Sequence, residues 1–473
     1  MNAEPNEEYV KFAPKWKRVR DVMGGIDAMR EAGEAYLPPL GNQDKRDYHS
    51  YLNRAHFLGA TARTEQAFLG MLFKTSIQVE DGEAVADWLA DIDLQDADID
   101  ALGQEIASEI LQTNRVLAVV NYSTGVAPRP YVELWKAEQI LDWKAAFVNG
   151  AHALAYVKLY EGYVEYPDSD KPLETVRELR LDPIDETGRY RYTVQRFRKI
   201  TEKSTRGRTE TKWQALEAEI PVKQGDVWPF IPCYLFGPRR GYDCANPPLL
   251  NLADLNISHW RTAADLEHGS HYTALPTPYI TGADATSGEF TIGPSHAWMI
   301  ENAQAKVGFL EFTGQGLGAL ERLLDRKQAM MAAEGARMLA PEKSQVESGH
   351  ALQLRQGAEF ASLNTLAAEL SQGLTALLYY MADWAGLEVD LTAQVNTNWS
   401  HPLLSAQEIT ALLAAWQGGA ISLETFLYNM RRGGRINDQR TDDDELEAIR
   451  DGDMAGQGGG SPADTGDDLP GDG

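Results

Sequence analysis

The residues able to do chemistry fall in a few stretches. Asp91-Ile92-Asp93-Leu94-Gln95-Asp96-Ala97-Asp98-Ile99-Asp100 sets carboxylates close together, as a calcium loop does. An EF-hand needs glycine at its sixth position and glutamate at its twelfth. Counted from Asp91 those positions hold Asp96 and Leu102, so the run reads instead as the acidic start of a helix, where carboxylates meet the positive end of the dipole. His259, His268, His271 and Cys244 are zinc-ligand types, and His268-x-x-His271 shares one helix face. No third ligand follows at a recognisable spacing, so these read as polar residues of a helix surface. Gly314-Gln315-Gly316-Leu317-Gly318 lacks both the third glycine of a dinucleotide loop and any Gly-Lys-Ser/Thr. Arg189, Arg191, Arg196, Arg198, Lys199, Lys203, Arg206 and Arg208 form the main positive patch. On a strand region it reads as a solvated sheet face, and its sharper reading is a contact with a protein partner or with DNA.

Beyond these, the chain has no Walker A loop, HExxH, CxxC or GxSxG elbow. Carboxylates are plentiful, but none is spaced as an acid–base pair. No catalytic residue, metal ligand or cofactor is assigned, and the expectation is a protein that is not an enzyme.

The elements that would position any site can be read from patterning. At 473 residues the chain is too long for one small core, and two to four packed subdomains are expected. The two cysteines, Cys233 and Cys244, imply no disulfide framework and a reducing compartment. The N-terminus is acidic and polar, which predicts no secretion signal. No run approaches the roughly 20 apolar residues that span a bilayer. Net charge is -26, of which residues 441–473 carry eleven acidic side chains against one basic, Arg450. Such a surface would not hold DNA by phosphate neutralisation, though it is compatible with a channel through which DNA slides.

In order, the pattern predicts a mobile start, ordered structure from Trp16, and a proline-stiffened turn at Tyr36–Gly41. One helix is expected from Asp44 to Phe73. A helix with the stripe Ile99, Leu102, Ile106 and Ile110 leads into a strand at Arg115–Tyr122. Further strands are expected at Pro130–Trp135, Ala151–Tyr160, Thr175–Leu181, Tyr190–Arg198 and Thr211–Ala218, separated by Gly, Asn and Pro turns. Pro247-Pro248 starts a helix that runs to about Tyr272. Three short strands are predicted at Thr277–Gly282, Glu289–Ile300 and Lys306–Gly314.

Next comes a helix with Leu317, Leu320, Leu324, Met331 and Met338 on one stripe. The polar stretch Ala340–His350 breaks it. A second helix carries Leu363, Leu366, Leu370, Leu374, Leu377, Met381 and Trp384, spans on the order of 50 Å, and is capped by Gly386. Gly373 inside it is a place for a kink. A strand at Val389–Trp399 follows. Ser405-Ala406-Gln407-Glu408 resembles a capping box and opens a helix that breaks at Gly418-Gly419; a further short helix ends near Arg432. The tail after Thr441 has the composition of a disordered segment.

Two long helices on either side of a short polar loop resemble the core of tailed-bacteriophage portal proteins. Gln345-Val346-Glu347-Ser348-Gly349-His350-Ala351-Leu352 resembles that family's tunnel-loop segment. Tyr36-Leu37-Pro38, Tyr48-x-x-Tyr51, Arg54-Ala55, Ala60-Thr61-Ala62-Arg63-Thr64 and Gly70-Met71-Leu72-Phe73 resemble the N-terminal region of one portal subfamily. The resemblance implies an α+β portal-type fold: wing at 1–248, first stem helix at 249–274, and β-containing clip at 275–314. The second stem helix follows at 315–340, the tunnel loop at 341–358, a long kinked wing helix and returning strand at 359–402, a helical crown at 403–440 and an acidic tail at 441–473. It further implies a ring of twelve subunits at one capsid vertex of the virion, assembled in the host cytoplasm, with double-stranded DNA passing through non-specifically. The implied partners are the large terminase subunit, a head-tail adaptor, and the major capsid and scaffolding proteins; no membrane is involved. Lys343, Ser344, Gln345, Glu347, Ser348 and His350 would face the channel. Tyr279, Asp284, Glu289, Phe290, His296, Trp298 and Glu301 would form the terminase- and adaptor-binding clip. In such a ring, neighbouring subunits would supply part of the burial of the Leu363–Trp384 stripe. The competing readings are a soluble α/β enzyme with a helical lid and another head-tail connector component.

Overall fold

The computed structural model describes residues 3–125, 128–148, 150–184, 188–203, 209–237, 242–274, 277–282, 304–310, 314, 316–336, 349–397 and 406–432. The chain divides into two compact units, Met1–Thr397 and Asn398–Gly473.

The first unit opens with α1 (Glu7–Met23) and α2 (Gly25–Ala32). Asn6 caps α1 by accepting from Tyr9 N at 2.7 Å, and Phe12, Trp16, Val19 and Val22 form its buried stripe. The expectation of a mobile start fails here. Asn6 N donates to Leu141 O at 2.8 Å and Asn6 Nδ2 to Asp142 Oδ1 at 3.1 Å, which ties the helix start to a distant strand.

The single helix expected over Asp44–Phe73 is two, α3 (Lys45–Arg54) and α4 (Ala60–Leu72). The backbone leaves the helix at Ala55, whose ψ is 117°. The break lets buried Phe57 meet Trp260 edge-on at 6.1 Å, and Leu58 O accepts from Asn256 Nδ2 at 2.8 Å. A helical backbone there could not make both contacts. After β1 (Gln78–Glu80) and α5 (Ala86–Ala90) comes α6 (Ile99–Thr113), capped by Asp98 accepting from Ala101 N. Its predicted stripe of Ile99, Leu102, Ile106 and Ile110 is buried as expected.

The β-rich middle forms two antiparallel sheets. One has the order β11-β2-β3, from β2 (Val116–Tyr122), β3 (Pro130–Lys136) and β11 (Cys233–Phe236). The other is a five-stranded meander: β4 (Ile140–Val148), β5 (Ala151–Val164), β6 (Leu173–Pro183), β7 (Tyr190–Lys203) and β8 (Thr209–Ala215). The sequence reading missed β4, because no glycine or proline separates it from β3. A small hairpin of β9 (Val222–Lys223) and β10 (Asp226–Val227) precedes β11. Cys233 and Cys244 are free thiols.

Then come α7 (Leu250–Ala274), β12 (Thr277–Thr281) paired with β13 (Lys306–Leu310), and α8 (Leu317–Met331), which runs into a π-helical segment at Ala332–Ala336. The 37-residue α9 (Gly349–Ala385) follows, with β14 (Thr392–Gln394) returning to pair with β1. Among the described residues the expected strand Val389–Trp399 is thus only three residues long. Residues 349–358, placed with the loop from the sequence, lie in α9.

α9 is the spine of the first unit. Leu363, Leu366, Leu370, Leu374, Leu377, Met381 and Trp384 are each less than a tenth exposed within the single chain. The expectation that neighbouring copies supply part of this burial is therefore corrected: the sheet β11-β2-β3 and helices α4 and α6 cover the stripe. At roughly 1.5–3 kcal/mol per buried side chain, this stripe is a major source of the unit's stability. Gly386 takes φ +74°, and Leu387 N donates to Ala382 O at 3.0 Å, which is the glycine-terminated helix end the sequence predicts.

In the second unit, α10 (Ala406–Gln417) and α11 (Leu423–Arg432) pack through Trp416 stacked on Phe426 at 5.2 Å, with Leu427 buried. The capping box at Ser405 and the tail after residue 440 lie outside the described residues.

Candidate functional site

The helices α7, α8 and α9 flank, in chain order, the clip and loop regions that the sequence singles out. α7 is held along its first half. Asn256, fully buried, accepts from Thr61 N at 3.2 Å and from Thr61 Oγ1 at 3.1 Å, which fixes the start of α4. Trp260 is fully buried, and Tyr51 OH donates to Asp265 Oδ1 at 2.6 Å.

α8 returns antiparallel along α7. Lys327 faces Ser258, Leu317 faces Gly269, and Gly314 faces Thr273. A Cβ on Gly269 would lie 2.9 Å from Leu317 Cδ2, so this crossing is as close as a glycine allows. Beyond it the chain leaves α7 through β12 and re-enters α8 through β13. β12 and β13 thus pair between the two helices in chain order.

The seam between the helices holds two ionisable groups. Lys327 Nζ donates to Ser258 O at 2.8 Å and to Thr262 Oγ1 at 2.6 Å. Burial lowers its pKa. His259 is buried, with Nε2 at 3.4 Å from Gln328 Nε2. Burial, with smaller contributions from Lys327 and His56, pulls its pKa down to about 4, so the ring is neutral at pH 7. His259 is buried and Lys327 half-buried at this crossing, and the bonds of Lys327 to Ser258 and Thr262 tie α8 to α7. Lys327 was legible as an anomaly: it is the one cation in the row Leu320, Leu324, Lys327, Met331.

Of the predicted clip residues, only Tyr279 is described. It is half-exposed on β12, and its ring lies against Gly308, its register partner, where a Cβ would come within 2.9 Å of Tyr279 OH. Asp284, Glu289, Phe290, His296, Trp298 and Glu301 lie outside the described residues, as do Lys343, Ser344, Gln345, Glu347 and Ser348. His350 is the second residue of α9.

Several charges elsewhere are paired in place. Between the two sheets Arg177 donates to Glu133 Oε2 at 2.7 Å and to Glu161 Oε1 at 2.6 Å, and it lies over the Trp135 ring. Burial alone would lower its pKa, but the two carboxylates outweigh burial and hold it charged. Within the basic patch Arg196 pairs with Glu219, Arg198 with Asp168 at 2.6 Å, and Lys199 with Glu174 at 2.6 Å. These three are ion-paired on the sheet face, while Arg206 and Arg208 lie outside the described residues. The cleft beside it, of about 900 Å³, is lined by Glu133, Glu161, Arg177, Arg196 and Glu219. Among the described residues no group of three His, Cys, Asp or Glu side chains is placed to hold a metal, and no helix is long and apolar enough to cross a membrane.

Residues 248–385 match the family model described as Domain of unknown function (DUF4055). That span begins just before α7 and ends on the last residue of α9. No curated protein matches the chain. Among solved structures, a chain from the neck of a native gene transfer agent particle computed with C12 symmetry is similar at 12% identity and a TM-score of 0.38, covering 84% of this chain and 96% of its own. A chain from the neck of an empty particle computed with C6 symmetry gives 11%, 0.36, 81% and 91%. One from the virion of the native gene transfer agent gives 12%, 0.38, 83% and 95%. At such scores the functional argument rests on the chain's own sequence and geometry.

Proposed function

We propose that this chain is the portal subunit of a tailed bacteriophage. It would form a ring at one capsid vertex, pass DNA during packaging and ejection, and dock terminase and then a head-tail adaptor. The observation that carries the reading is the order and pairing of elements over residues 250–385. A helix anchored in the body leads to a two-stranded excursion, an antiparallel return helix, a polar stretch at 340–348, and a long helix through the core. That order agrees with the sequence resemblance at Gln345–Leu352 and in the N-terminal region. The mechanism is mechanical and electrostatic, and the chain hydrolyses nothing itself. Acidic character overall keeps DNA from sticking to the ring.

The decisive experiment is the solution mass of the purified protein with negative-stain images of the same sample. The expected result is rings with a central hole at about 630 kDa, twelve times 52.4 kDa. A monomer or dimer at every salt and concentration tested, with substrate turnover, would favour the enzyme reading. Deleting Lys343–Gly349 should leave rings intact while impairing packaging or retention of DNA. Normal packaging and retention would remove these residues from the channel.

A further inference from the structure

The outer side of α8 carries four charges with an unusual arrangement. Glu321 and Asp325 are spaced i, i+4 and form one row; Arg322 and Arg326 form a second row, turned about 100° around the helix. All four are exposed, and none has an ion pair or side-chain hydrogen bond among the described residues. Even Arg322 and Asp325, three apart and on neighbouring rows, are not joined. An isolated helix gains from opposite charges at i, i+4 and loses from like charges there. This helix has chosen the unfavourable arrangement twice, so its charges are sorted for something outside the chain. Leu323 and Met330, each about two-fifths exposed, add an apolar margin beside the basic row.

The surface is both acidic and basic, and that narrows the partner. A polyanion such as DNA would be repelled by the Glu321/Asp325 row next to the arginines, and a polycation by the reverse. A second copy of the chain presents both rows and fits either. Local matching of this kind is also what two molecules of net charge -26 need in order to approach. We propose that α8 is a contact between copies, in which the Glu321/Asp325 row of one chain meets the Arg322/Arg326 row of the next. The inference rests on the portal reading and names the residues that would select the neighbouring subunit.

The test is a charge swap read by sedimentation and negative stain. Variant A is Glu321→Lys with Asp325→Lys; variant B is Arg322→Glu with Arg326→Glu. Each alone presents like charges to its own copies, and assembled material should fall at least tenfold relative to the unaltered chain. An equal mixture of A and B restores opposite charges at every A–B contact and should assemble. The neutral pair Arg322→Gln and Arg326→Gln should weaken assembly without stopping it. It also serves as the check if A or B folds poorly by circular dichroism. If the unaltered chain assembles and A, B and the neutral variant assemble as it does, or the mixture of folded A and B fails, the inference is wrong while the portal reading stands. If the unaltered chain never assembles, the portal reading fails and takes the inference with it.

Discussion

Gly373 in the middle of α9 lies directly against the ring of Phe236 on β11. A Cβ at Gly373 would sit 2.1 Å from Phe236 Cε1 and 2.9 Å from Tyr234 Cε1. Phe236 is fully buried, so the ring has nowhere to go. The glycine serves close packing of helix on sheet, and α9 runs through it as one continuous helix. Gly373→Ala should therefore destabilise the fold, by up to about 2 kcal/mol. Overpacking of about 1–3 kcal/mol outweighs the roughly 1 kcal/mol that alanine gains as a helix former. Chemical denaturation checks this, and a double-mutant cycle with Phe236→Leu should show coupling. Equal or higher stability of Gly373→Ala would show that helix propensity wins.

That pair also marks where the sequence could and could not be read. The 3- and 4-residue steps from Leu363 to Trp384 declare a helix with a buried stripe, and Gly386 declares its end. Nothing local says what covers the stripe, because β11, β2 and β3 lie more than a hundred residues away along the chain. An oligomer and an intrachain sheet leave the same pattern on the helix. The break between α3 and α4 was hidden for the same reason: Phe57 and Leu58 leave the helix to meet Trp260 and Asn256, about two hundred residues on. The candidate loop reads as a polar interval between apolar helices, and residues 340–348 of that interval lie outside the described residues. The Lys327–Ser258–His259 seam was not legible, since only the antiparallel return of α8 creates it.

Leu370→Ala tests the corrected account of α9. Leu370 is fully buried within one chain. The substitution should cost about 2–5 kcal/mol, through lost transfer free energy and the cavity left behind. The loss should appear in the unfolding of the dispersed subunit. A variant as stable as the parent when dispersed, but defective in assembly, would return the stripe to an intersubunit role.

Arg177 sits between Glu133 and Glu161 with a side chain almost wholly buried. Arg177→Met keeps much of the volume but strips the main cation from two carboxylates between the sheets, leaving Glu133 with Asn121 and Glu161 with Arg196 at 3.5 Å. The expected cost is about 3–5 kcal/mol at pH 7, most of it the penalty of uncompensated charge. Urea denaturation at pH 7 measures the cost, and a deficit of less than about 1 kcal/mol would show that the ion pairs are worth no more than an exposed pair.

His259 gives the helix seam a pH dependence whose sign is fixed. Its folded pKa is about 4, against an ordinary 6.5. Above pH 6.5 the ring is neutral in both states and contributes no slope. As pH falls from 6.5 towards 4, the unfolded chain binds a proton that the folded chain refuses. The seam's stability therefore drops through that window and levels off below it. The gap corresponds to about 3 kcal/mol at about 1.4 kcal/mol per unit. The facing charges are Lys327 from α8 and His56 from the connection between α3 and α4, and both would repel an imidazolium. His259→Leu should remove this part of the acid sensitivity, leaving the contribution of the carboxylates unchanged. The difference in unfolding free energy between the variant and the parent should then move by about 3 kcal/mol in the variant's favour between pH 7 and pH 4. Parallel curves over that range would mean that His259 is protonated in the folded protein and the seam is wet.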